Sequence, residues 1–99
     1  MDDIIDKILE ISKIQESKTL QEMALKCAEE TGEMCQAVLS YTDAPACGYK
    51  ELGIDSVLEE IADVIIVATA MVSKLNLTKD DLNRIIELKV EKWLQKINS

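Results

Sequence analysis

The stretches AEETGEM (residues 28–34) and LEEIADV (residues 58–64) decide how this chain of 99 residues is read. Each holds a carboxylate pair spaced i, i+3: Glu30 with Glu33, and Glu60 with Asp63. On a helix that spacing sets both side chains on one face, about one turn apart. Two such helices facing each other gather four carboxylates at close range. Their mutual repulsion calls for a compensating cation.

In a chain with 30% charged residues, most glutamate pairs are simply solvated helix surface. A helical projection at about 100° per residue argues against that here. Glu30 falls within about 20° of Met23, Ala37 and Tyr41, whereas Glu29 falls about 100° away on the polar side. Glu60 lies about 20° from Val67 and Met71, and Asp63 shares the side of Val67 and Ala70. Glu33 sits at the border of its apolar arc. An ionised carboxylate on an apolar face is costly unless it is protonated, paired or bound to metal. Lys26, one turn before Glu30, is the basic residue near these positions. A donor set of carboxylates without His selects a hard cation: Mg²⁺ first, with Mn²⁺ as the alternative. The absence of His also excludes a ferritin-like di-iron bundle, and no EF-hand loop is present.

The rest of the chain reads as helices around these two. Aromatic residues are 3% of the chain and Phe is absent, while Ile, Leu, Val, Ala and Met supply most of a 47% hydrophobic fraction. That composition favours an all-α protein over a sheet. Four helices are expected, at about 2–15, 19–42, 55–76 and 79–97, in a single domain spanning 1–99. Ile4, Ile8 and Ile11, with Ile5 and Leu9 beside them, give the first an apolar face. Thr19 with Glu22 starts the second, Ser17 being the alternative cap. Leu20, Cys27, Met34 and Tyr41 then repeat at seven, a seam suited to bundle packing. Residues 43–54 hold the only Pro and two of the three Gly, and form the main loop, functional or with a short helical turn. Asp55 or Ser56 caps the third helix, whose second half (Val64 to Val72) is apolar nearly all round. Such a helix is buried on all sides. Three other helices of one chain do not obviously cover it, which favours a dimer or larger assembly. Thr78 and Asp81 cap the fourth, which carries Leu82, Ile85, Ile86, Trp93, Leu94 and Ile97 on one side.

A net charge of −8 argues against binding a nucleic-acid polymer, which needs a basic surface. No apolar run reaches membrane-span length. Cys27, Cys35 and Cys47 form no CxxC pair, and with no signal-like N-terminus they read as reduced thiols in a cytoplasmic protein. Cys27 and Cys35 are expected as small core or near-core residues; Cys47 lies in the loop, where it is open to reaction.

KCAEETGEM (26–34), followed about 25 residues later by LEEIADVIIVA (58–68), resembles the MazG-like all-α nucleoside triphosphate pyrophosphohydrolases. The shared signature is E-E-x-x-E and then E-x-x-D, each on its own helix, with Gly32 before Glu33 and Ala62 before Asp63. The resemblance covers roughly Leu20 to Lys96. It implies a four-helix fold assembled as a dimer or a dimer of dimers. It implies hydrolysis of a ribo- or deoxyribonucleoside triphosphate between the α and β phosphates, releasing a monophosphate and pyrophosphate. Glu30, Glu33, Glu60 and Asp63 then become the Mg²⁺ ligands and catalytic carboxylates. Glu29 and Glu59 match the acidic neighbours in the motif. One of the four ligands, or Glu29, serves as general base.

Relatives carry a K-x-x-K-N-like patch on the last helix that reaches phosphates. Lys89, Lys92 and Lys96 are the candidates here, against a plain reading as a basic stripe near a helix C-terminus. Trp93 stands where the pattern has Asn, as a base-stacking platform or, preferably, a core anchor. The enzyme alternative is a phosphoribosyl-ATP pyrophosphohydrolase, which shares the acidic layout. The alternative of another class is a non-catalytic acidic helical module that binds a basic partner.

Overall fold

A computed structural model describes residues 2–42 and 53–99. The expectations for residues 43–52, including Cys47, lie outside the described residues. Helices α1 (Asp2–Gln15), α2 (Leu20–Tyr41), α3 (Ile54–Lys74) and α4 (Lys79–Ile97) follow in order, and no strand occurs among the described residues. No described helix is long and apolar enough to cross a membrane.

Two of the helices start where the sequence marks them. The Thr19 hydroxyl accepts from the Glu22 amide at 3.1 Å, while the Thr19 amide donates to Glu22 Oε1 at 2.8 Å. Two amides that the first turn leaves without helical partners are thereby satisfied. Thr78 and Asp81 repeat the arrangement at α4, with the Thr78 amide donating to Asp81 Oδ2 at 2.9 Å. The start of α3 differs from expectation. Its cap is Gly53 rather than Asp55 or Ser56, and no side chain caps it. The Gly53 carbonyl accepts from the Ser56 and Val57 amides at 3.1 and 3.4 Å, so the cap falls two residues before Asp55 and three before Ser56. Asp55 lies instead in the first turn, where its charge faces the positive helix end. α3 also ends earlier than expected. Asn76 takes a left-handed backbone (φ 60°), the Leu77 amide donates to the Val72 carbonyl at 3.1 Å, and the Asn76 amide to Ser73 at 2.9 Å. This is a Schellman closure, and Asn is among the few side chains that tolerate the required φ.

α2 and α3 form the main pair. They run antiparallel: Glu30 meets Glu60 and Asp63, whereas Met23, a turn or two earlier, meets Ile66, Val67 and Ala70. α1 lies along α3, and the Ser12 hydroxyl donates to the Ala70 carbonyl at 3.2 Å across that contact. α4 is tied at its first turn by Lys79 Nζ donating to Asp6 Oδ2 at 3.0 Å. Its Leu82 and Ile86 border one hollow with Ile5, Ile65, Ala68 and Thr69.

Three packing expectations are corrected. The buried line of α2 is Met23, Glu30 and Ala37, with Ser40, not Leu20, Cys27, Met34 and Tyr41. Both lines repeat at seven, but the observed one is turned by about 60°, the offset of three residues on a helix. Cys27 is half-buried and Cys35 is exposed, so Cys35 is no core residue in the single chain. As the sequence suggests, the other helices of one chain leave α3 partly uncovered: Thr69 and Ala70 are buried, while Ile65 and Ile66 stay exposed because α1 and α2 cover only part of its circumference. Trp93 is likewise exposed, at 65%, and anchors no core within one chain.

Candidate metal centre

α2 and α3 bring three of the four named carboxylates together. Glu30, Glu60 and Asp63 each offer an oxygen within 4.8 Å of the others. Glu30 reaches the cluster because it occupies a seam position of α2, between Met23 and Ala37 in the heptad. Glu60 and Asp63 reach it from one face of α3, one turn apart. The residue Glu30 is only 8% exposed, Glu60 is half-buried and Asp63 lies at the open edge.

The hydrogen bonding of the cluster is incomplete. Oε2 of Glu30 and Oε2 of Glu60 are both buried without a hydrogen-bond partner. Buried carboxylate oxygens are normally satisfied, and leaving one bare costs more than an average hydrogen bond gains. The only cation on the cluster among the described residues is Lys26, whose Nζ lies 3.2 Å from Glu30 Oε1 and 3.7 Å from Glu29. The hydrogen bond to Glu30, followed by the charges of Glu29 and Glu30, raises the proton affinity of the Lys26 amine. One ammonium against three carboxylates still leaves a strongly negative centre. A hard divalent ion fits this set: all the donors are oxygens, two are orphaned, and no His or Cys competes.

Glu33 stands beside this group rather than within it. It is exposed, yet its carboxyl holds a proton above the ordinary range. The negative charge of Glu30 is the main cause, followed by desolvation and then the charges of Glu60 and Glu29. Glu29 faces outward against Lys26, and Glu59 is exposed. Lys89, Lys92 and Lys96 are exposed on the C-terminal half of α4, far along from its attachment to α1. Within one chain the structure does not bring them to the carboxylates.

Beside the cluster lies a hollow of about 140 Å³, lined by Glu16, Lys18, Met23, Lys26, Ile66, Val67 and Ala70. Lys26 is therefore a wall shared by the cluster and the hollow. Its place was visible in the sequence as a Lys→Glu pair at i, i+4. The hollow was not visible, since it depends on α1 meeting the α2–α3 pair. No family model, curated protein or solved structure matches the chain.

Proposed function

We propose that this chain is a Mg²⁺-dependent nucleoside triphosphate pyrophosphohydrolase of the MazG-like kind, working as a homodimer or larger assembly. The reading rests on one observation above the others: three carboxylates from two helices converge with two buried oxygens that nothing among the described residues satisfies. Glu30, Glu60 and Asp63 would hold the ion, with Glu33 at the rim as a fourth ligand or as the proton acceptor. When bound, such an ion polarises phosphoryl oxygens and lowers the pKa of a coordinated water.

The chain's own groups do the rest. Glu33, exposed one turn from Glu30, is the candidate to take the proton of that water. The carboxylates offset part of the ion's charge, which lets pyrophosphate depart. Lys89, Lys92 and Lys96 are the phosphate-contacting candidates. Because α4 stands away from α2 in one chain, that role requires a neighbouring chain to supply them. A second reading, a non-catalytic acidic helical module that binds a basic partner, draws on the net charge of −8.

A screen of ribo- and deoxynucleoside triphosphates with Mg²⁺, scored for the first product released, tests the reaction. Pyrophosphate is expected; orthophosphate as the initial product contradicts cleavage between α and β. Calorimetric titration of Mg²⁺ into wild type and Glu60→Gln tests the centre. Wild type is expected to bind and the variant to lose that binding. If wild type takes up no Mg²⁺, with or without nucleotide, the helical-module reading stands instead.

A further inference from the structure

We propose that Lys26 is a positioning residue for the metal centre: by holding Glu30 through Oε1, it leaves Oε2 aimed inward as the ligand atom. This inference rests on the metal reading above. The two oxygens of Glu30 have different surroundings. Oε1 meets the Lys26 ammonium at 3.2 Å, whereas Oε2 is buried and bare, as is Oε2 of Glu60. A carboxylate on a three-torsion side chain has no intrinsic reason to present one fixed oxygen. An outer hydrogen bond supplies that reason, as it commonly does for carboxylates that ligate metals. The i, i+4 spacing on α2 keeps Lys26 within reach of Glu30 without any loop having to close.

Lys26 also carries a positive charge, which repels a dication. The two effects oppose each other, and their ranges differ. The Lys26 side chain is 39% exposed, so solvent screens its through-space repulsion. The hydrogen bond to a side chain with only 10% exposure is direct and largely shielded. Positioning therefore outweighs repulsion. Glu29, at 3.7 Å from the same ammonium, is a weaker competitor on the solvent side.

The test is calorimetric titration of Mg²⁺, without nucleotide, into the full chain carrying Lys26→Met or Lys26→Gln, with circular dichroism as the check on folding. The Met variant is expected to bind about tenfold more weakly than wild type or worse, the usual loss when a partner behind a ligand is removed. Gln keeps a donor at i, i+4 without the charge, and is expected to stay within about threefold of wild type. Met binding as tightly as wild type, or more tightly, overturns the inference while leaving the metal centre intact. Should the Met variant not fold, the Gln variant decides alone: binding clearly tighter than wild type means that charge repulsion dominates, and the inference fails. Absence of Mg²⁺ binding in wild type removes the metal reading itself and is thus a separate outcome.

Discussion

Glu30 occupies a position that an ordinary helical pair would give to a hydrophobic side chain. It follows Met23 and precedes Ala37 on the buried line of α2, and one of its oxygens is unsatisfied. Such a residue weakens the metal-free fold, because desolvating its charge is only partly offset by Lys26. Glu30→Met is therefore expected to stabilise the metal-free protein, by roughly 1–2 kcal/mol, as is common when a functional site is traded for packing. Urea unfolding without divalent ions measures this, and calorimetry on the same variant should find no Mg²⁺ binding. A metal-free variant less stable than wild type would mean that Glu30 contributes structure rather than function. The anomaly of Glu30 was legible in the sequence, because a charge on an apolar arc needs only the helical period to be seen. Its partners Glu60 and Asp63 were legible for the same reason. Glu33, at the border of the arc, lies exposed beside Glu30. An angular position at the border of an arc does not say which way a long side chain turns.

At the scale of the elements, local chemistry was the best guide. Thr19 and Thr78 each form the reciprocal box that their spacing to Glu22 and Asp81 announces. Thr19→Ala should cost about 1 kcal/mol of stability, the usual value for a lost helix cap. The box also sets a pH dependence. The Thr19 amide, and then its hydroxyl, hold the Glu22 carboxyl below its ordinary pKa of 4.5. A carboxyl whose folded pKa is depressed stabilises the fold above that ordinary value, and the contribution is lost as pH falls through the lower folded value. Glu22→Gln should therefore be less stable than wild type at neutral pH, with the two curves converging in acid. A difference that persists unchanged at low pH would show that the carboxylate charge plays no part. The ends of α3 were harder to read. Gly53 caps through its backbone alone, and the Asn76 closure depends on a φ that composition does not report. The seam of α2 is ambiguous in the sequence because heptad repeats exist on two adjacent lines of that helix. Only the neighbours decide which line is buried.

For the whole molecule, one chain is poorly closed. Its radius of gyration is 16.0 Å, against about 13 Å for a compact domain of 100 residues. Among the described residues four apolar side chains are buried: Ile5, Met23, Ala37 and Ala70. Meanwhile α4 exposes Ile85, Ile86, Leu88, Trp93, Leu94 and Ile97, each by 45% or more. Apolar side chains set so closely on one helix suit the assembly proposed above. The proposed self-association would cover them, and it would also bring the lysines of α4 toward carboxylates on another chain. These two consequences separate in one variant. Leu94 is 53% exposed and lines no described hollow, so Leu94→Asp should be nearly neutral in an isolated chain. In an assembly it places a charge in an apolar interface. Sedimentation at micromolar concentration is expected to give two or more chains for wild type and a smaller species for Leu94→Asp. Because Glu30, Glu60 and Asp63 converge within one chain, the separated protein should still bind Mg²⁺. Hydrolysis should fall with the assembly, since the lysines no longer reach the substrate. A monomeric wild type, or a monomeric variant with full hydrolytic activity, would sink the proposal that the active unit spans more than one chain.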